Sequence, residues 1–290
     1  MDSTRSQARW AGLLYVLAGS IAPFAYLYVP DKLLVEGNAL ATADRVRASE
    51  GLLRAAIIGE LYGATLLIFA TLALYQLFKK VDQKTSILMA AMMLVSVPIS
   101  YVNALSNIAP LVLLKNPAIA AVLDPGQVAA QVTFFLRLHN YGLVINQIFW
   151  GLWLFPIGVL IMRSGFIPRW LAYPLFAAGT GYVINSLGGL LPPSMRGITQ
   201  FGQILGVGEM PFSFYLLIWG VRGYVVDRLA TLLFLVSFAI GTPALVLLLR
   251  DRIDATQYAA LALASLVALV GMVMRWRWSE SSTRTAGAGA

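Results

Sequence analysis

An all-α, polytopic membrane bundle of about eight transmembrane helices is the fold class this sequence predicts, and three observations predict it. First, 59% of the residues are apolar and only 12% charged, with a mean hydropathy of +0.76, far from the composition of soluble domains. Second, apolar runs of the length needed to cross about 30 Å of hydrocarbon recur at 10–29, 51–78, 86–113, 141–162, 169–191, 203–224, 228–249 and 256–275. Third, the basic residues that give the net charge of +8 gather at the ends of these runs. A nucleic-acid binder would carry them on one face.

Taken in order, the chain begins with the polar, basic MDSTRSQARW. No small-residue cleavage pattern follows the first run, so it reads as a retained helix and not a signal peptide. Residues 30–50 read as a polar outer loop. Asp124 followed by Pro125 is an N-cap with a first-turn proline. A helix running unbroken from there to Met162 would be about 57 Å long, so it is expected either to bend near His139–Gly142 or to project outward, with QVAAQVTFFLRL lying along or standing above the outer interface. Pro98, Pro110, Pro156 and Pro211 offer further kinks, which membrane helices accept when neighbours satisfy the freed backbone.

The domain organisation follows from these runs. Residues 1–225 hold a core of six spans, 226–276 an appended transmembrane hairpin with Asp254 and Gln257 as a capping pair, and 277–290 a disordered tail of small and polar residues. Alternate loops fall on opposite sides. The side of the N-terminus carries Arg5, Arg9, Lys79, Lys80, Lys84, Arg163, Arg169, Arg222, Arg228, Arg275, Arg277 and Arg284. The positive-inside rule then puts both termini in the cytoplasm of a bacterial inner membrane.

Composition also excludes chemistry. Without cysteine, and with one histidine, thiolate, iron–sulfur and multi-histidine metal sites are ruled out; neither a metal nor a cofactor is expected. No GxSxG, HExxH or Asp-rich diphosphate motif is found.

The informative residues are those that do not belong in lipid, since a charge at the bilayer centre is costly and normally faces protein or a wet cavity. Glu60 shares its helical face with Ala56, Gly63 and Ala64, and Gly59 and Gly63 form a GxxxG pair of the kind that lines close helix contacts. Glu209 shares a stripe with Gly202, Gly206, Ser213 and Gly220. Asn103 lies in line with Ser96, Ser100 and Asn107; Asn185 neighbours Gly181, Tyr182, Gly188 and Gly189. His139, Asn146, Trp150 and Trp153 are spaced by seven, four and three residues, which keeps them on one helical stripe. The rise per residue sets Glu60, Asn103, Asn185, Glu209 and His139 in the outer half of the bundle. Together they predict a polar, aromatic chamber that opens outward and holds both carboxyls.

Several strings taken together, ARWAGLLYVLAG at 8–19, VSVPISYVNAL at 95–105, LHNYG then QIFWGLWLFPIG at 138–158, RSGFIPRW at 163–170 and GEMPF at 208–212, resemble the bacterial membrane family called domain of unknown function 4386. The resemblance covers about residues 8–225. It implies a bacterial membrane protein and no particular reaction.

Three functions compete for this pattern. In the first, the chamber binds a membrane lipid or another small apolar molecule such as an isoprenoid. Glu60, Glu209 and His139 would then be its acid/base groups, and Asn103, Asn146, Trp150, Trp153, Tyr182 and Asn185 its walls. In the second, the protein is structural or accessory, and buried carboxyls serve as interhelical hydrogen-bond glue. The third is a transporter whose carboxylates relay charge; the Gly-Glu pairs of GELYG and GVGEMPF invite comparison with an inverted repeat, but no repeat extends beyond them. No nucleic acid partner is expected, and the protein partners are open.

Overall fold

The computed structural model describes residues 2–221, apart from 193, 195 and 196. The chain divides into two units, Met1–Val221 and Arg222–Ala290; the expected seventh and eighth spans and the tail belong to the second and lie outside the described residues. Within the first unit all regular structure is helical. Five helical runs there are long and apolar enough to cross a membrane: Thr4–Leu33, Glu50–Phe78, Gln83–Lys115, Pro125–Ser164 and Gly197–Ile218. Their outward faces carry apolar side chains such as Ile58, Phe69, Val102, Leu105 and Phe201, as expected where the solvent is hydrocarbon.

The first run is α1 (Asp2–Gly19), a π-helical turn (Pro23–Tyr28) and α2 (Val29–Leu33). Pro23 has no N–H to give the preceding turn, and the backbone widens there; π-turns of this sort gather at functional sites. The predicted outer loop is in fact partly helical. Asn38 accepts a hydrogen bond from the Ala41 N–H and starts α3 (Ala39–Ala48). Thr42, Ala43 and Val46 of α3 are buried, so a segment polar in composition still hides one apolar face.

Next come α4 (Glu50–Phe78) and α5 (Gln83–Lys115), which passes through Pro98 and Pro110 without ending. Gly59 and Gly63 bring α4 against the first run: a Cβ on Gly59 would meet Ile21 at 2.9 Å, and one on Gly63 the Ala18 carbonyl at 3.3 Å. After the short α6 (Pro117–Ala120), Asp124 and Gln127 form the capping box of α7 (Pro125–Leu152), with Pro125 in the first turn. Val128, Ala129, Val132 and Leu136 then pack with Val46, Leu53 and Leu33, so the early part of α7 stands on α3 instead of lying along an interface.

The bend in this run is not at His139–Gly142, where α7 continues, but at Trp153, which separates α7 from α8 (Leu154–Ser164). The cause is Pro156. It offers no donor to the Leu152 carbonyl one turn back, and the ladder breaks there.

The expected fifth span becomes a 3₁₀ turn (Arg169–Leu171) leading into α9 (Ala172–Gly189), shorter and richer in Gly than the five long runs. The last run is not one helix: α10 (Gly197–Gly206) and α11 (Met210–Ile218) are joined by a 3₁₀ turn, Val207–Glu209. Two reciprocal glycine contacts hold these elements. A Cβ on Gly151 would meet the Gly179 carbonyl at 2.6 Å, and one on Gly181 the Gly202 carbonyl at 2.6 Å, so α7, α9 and α10 meet backbone to backbone.

The ends of the runs pair as alternating loops require. Arg163 at the end of α8 reaches Asp82, the N-cap of α5. Arg9 of α1 donates to the Leu217 and Ile218 carbonyls at the C-terminus of α11, at 3.3 and 3.1 Å. At the opposite rim Glu50 pairs with Arg54 and Lys115, and Arg137 with Glu36; Arg137 thus serves the rim and not a buried carboxylate.

Candidate functional site

Glu60 and His139 meet in the interior. Glu60 is 2% exposed and His139 1%, and His139 Nε2 lies 2.9 Å from Glu60 Oε2. One proton is shared across that contact, whichever partner holds it. Glu60 Oε1, also buried, has no partner among the described residues, although a buried carboxylate oxygen normally takes one or more donors.

The surrounding residues fix the ring. Asn103 of α5 donates from Nδ2 to the His139 carbonyl at 3.0 Å. This demands glycine at 142, because a Cβ there would fall 1.8 Å from Asn103 Oδ1. Tyr26, from the π-helical turn, sets its ring 6.4 Å from that of His139 and stacks on Trp150 at 6.0 Å.

About two and three turns further along α7 the same stripe binds α5. Asn146 Nδ2 donates to Ser100 Oγ at 2.8 Å and to the Ser96 carbonyl at 3.3 Å. Trp150 Nε1 donates to Ser96 Oγ at 2.8 Å. These contacts flank Pro98 on α5.

Glu209 lies elsewhere, on the 3₁₀ turn. It accepts from the Tyr15 hydroxyl and, at 2.8 Å, from the Tyr182 hydroxyl. Trp153, fully buried, packs edge-on against Tyr15 with ring centroids 5.2 Å apart; Trp150 meets Tyr182 edge-on at 6.3 Å. Asn185 is half-buried, with Gly202 of α10 close to its backbone N–H.

A cleft opens beside His139, with Ala25, Val29, Leu33, Leu53 and Leu136 as its apolar wall and Asn107 and Asn140 at its polar end. It has about 10 Å³ of room for water, enough for about one molecule. Neither Glu60 nor Glu209 lines it. The expectation of one chamber holding both carboxyls is therefore corrected: Glu60, His139, Asn103, Asn146 and Trp150 form one cluster, and Glu209, Tyr182 and Trp153 gather around Tyr15 in another. The two are staggered. Gly59 and Gly63 meet α1 and the turn after it at Ala18 and Ile21, whereas Glu209 bonds Tyr15, about 9 Å further along α1 from Ile21.

A family model spans residues 10–220, well over half of the chain. The chain belongs to that family, described as Domain of unknown function (DUF4386). An uncharacterized protein of Archaeoglobus fulgidus is 38% identical over 76 residues, which cover 26% of this chain and 44% of that relative. The chain thus spans less than half the length of the relative it matches. No solved structure matches. Both clusters lie inside the DUF4386 region.

Tyr15 and Tyr26 escaped the sequence reading. They stand eleven residues apart in the first run, about three helical turns and so near one face; that spacing is the signal that was present.

Among the described residues no group of three or more metal-ligating side chains gathers.

Proposed function

We propose that this DUF4386 protein binds, within the membrane, a small apolar molecule with one hydrogen-bonding end, such as a lipid or isoprenoid alcohol, and that the Glu60–His139 pair exchanges a proton with that end. The observation that carries this reading is the buried Glu60 Oε1 without a partner, held by a histidine that lines an apolar cleft. A buried carboxylate oxygen of this kind recognises a donor such as a hydroxyl, and the apolar wall takes a tail. A titratable pair in a cleft is where acid/base chemistry is expected. The π-helical turn that supplies Ala25 of the wall is the element that yields when a molecule larger than the cleft enters.

The setting is a bacterial inner membrane with both termini cytoplasmic, a reading supported by the basic residues at the ends of the runs. The cleft then opens toward the outer face.

One observation favours a carrier as the second reading. Glu209 occupies the break between α10 and α11, and transporters place their ion and substrate sites at broken helices.

The test is mass spectrometry of apolar molecules co-purified with the full chain and with Glu60→Gln at matched yield. A specific molecule retained by the parent and depleted from the variant is expected. The same bulk lipid on both would overturn the ligand site.

A further inference from the structure

Four buried polar atoms lack a partner among the described residues and lie along α7, at its end, or on the carboxylate it holds: Glu60 Oε1, Asn146 Oδ1, Gln147 Oε1 and Trp153 Nε1. Atoms so placed are normally completed by ordered water, which makes two to four hydrogen bonds in a polar site. Two further such atoms, Thr71 Oγ1 and Ser186 Oγ, lie on α4 and α9; the four named here share α7 or the carboxylate it holds. His139 and Trp153 are about 21 Å apart along the axis, with Asn146 and Trp150 between them on the same stripe.

Polar or aromatic groups stand at intervals between the two carboxyls, with the buried Leu143 between His139 and Asn146 on the stripe. Glu60 bonds His139; Asn146 bonds Ser100 and Ser96; Trp150 bonds Ser96 and meets the ring of Tyr182; Tyr182 bonds Glu209. From the first run Tyr26 faces His139 and Trp150, and Tyr15 faces Glu209 and Trp153. The titratable groups on this line are thus Glu60, His139, Tyr26, Tyr15, Tyr182 and Glu209. The basic residues described above are engaged at the two rims, Arg54, Lys115 and Arg137 at one and Arg9 and Arg163 at the other.

We propose that water completes these groups into a proton path along α7, joining Glu209 to the Glu60–His139 pair and through it to the outer cleft. The step balances with protons alone. Glu209 in its acid form breaks its O–H bond and gives the proton to an adjacent water, the file of hydrogen bonds passes one proton along, and the Glu60–His139 pair gains one O–H or N–H bond. The return step is the reverse. This goes beyond the ligand reading, because no ligand enters it.

The experiment is infrared spectroscopy of the full chain in lipid nanodiscs during transfer to D₂O, without added ligand. The protonated Glu209 carboxyl band, assigned by its loss in Glu209→Gln, reports how fast that proton exchanges with bulk water. Asn146→Leu, which touches neither carboxyl, is expected to slow this exchange by about tenfold or more. An unchanged rate in a folded Asn146→Leu protein overturns the path. Should that variant fail to fold, Ser100→Ala takes its place, with a slowing of about threefold expected and an unchanged rate again decisive. Radiolytic labelling in ¹⁸O water is the second measurement: oxidation of Trp153 by slowly exchanging internal water is expected, and none at Trp153 would overturn the hydration on which the path depends. A protein that co-purifies with no ligand yet shows these effects would refute the ligand site and leave the path standing.

Discussion

Glu60 and Glu209 are the same residue type inside the same bundle, and the structure treats them in opposite ways. Glu60 sits within an unbroken helix, 2% exposed, with a histidine on one oxygen and no described partner on the other. Glu209 sits in a helix break, half-buried, with a tyrosine hydroxyl on each oxygen. In the second site a tyrosine hydroxyl occupies each carboxyl oxygen. The first keeps an open acceptor beside a titratable partner. Burial alone therefore does not mark a carboxyl as functional; what distinguishes the two is the capacity left over after the protein's own partners are counted.

The largest expected effect comes from breaking the Glu60 site at its histidine. His139→Leu leaves a carboxyl buried and unpaired, which costs about 3–5 kcal/mol where a buried partner is lost. The double variant Glu60→Leu with His139→Leu should recover most of that loss, because replacing both members of a buried pair by apolar groups is often neutral. Thermal unfolding in detergent measures both. A double variant no more stable than the single would mean that the pair is needed for the fold itself and that the open acceptor is incidental.

Tyr182→Phe makes the corresponding break at Glu209, with a smaller effect of about 1–3 kcal/mol, the cost of leaving one buried acceptor without its donor. Tyr15 still holds the other oxygen, so the fold survives. The same variant should leave ligand retention at the cleft beside His139 unchanged, as measured by mass spectrometry of the purified protein. Loss of the co-purified molecule in Tyr182→Phe would collapse the distinction between the two sites.

The parts of this arrangement legible in the sequence are those written in helical periodicity. Gly59 and Gly63 meet the first run as their spacing requires, Asp124 and Gln127 cap α7, and His139, Asn146 and Trp150 share one face because seven and four residues are near-integral numbers of turns. The partners of those faces were harder to read. Tyrosine is compatible with an apolar run, so Tyr15 and Tyr26 raise no flag until tertiary packing sets them against Glu209 and His139. The break at Val207–Glu209 was punctuated by Gly206, Gly208 and Pro211, yet the regular stripe of small residues through Gly202, Gly206 and Ser213 argued for one continuous helix. Pro156 moved the bend of the fourth run to Trp153, since a proline acts on the turn before it.

The smallest expected effect lies outside both sites, where the same logic of partners can be tested by pH. Asp82, between α4 and α5, accepts from the Thr85 N–H at 3.1 Å and from its hydroxyl at 2.8 Å. These bonds, with the Arg163 guanidinium beside them, hold its carboxyl below the usual aspartate value. A carboxyl held lower in the folded than in the unfolded protein adds stability above its unfolded pKa, about 3.9, and that contribution is lost as the pH falls through the lower folded value. Melting curves of the parent and of Asp82→Asn should therefore differ near neutral pH, with the parent the more stable, and converge in acid. Because Asp82 is at a solvated rim, the difference is small and shrinks with added salt. Curves that stay parallel from neutral pH into acid would show that the capping geometry alone, and not its charge, ties α5 to the end of α8.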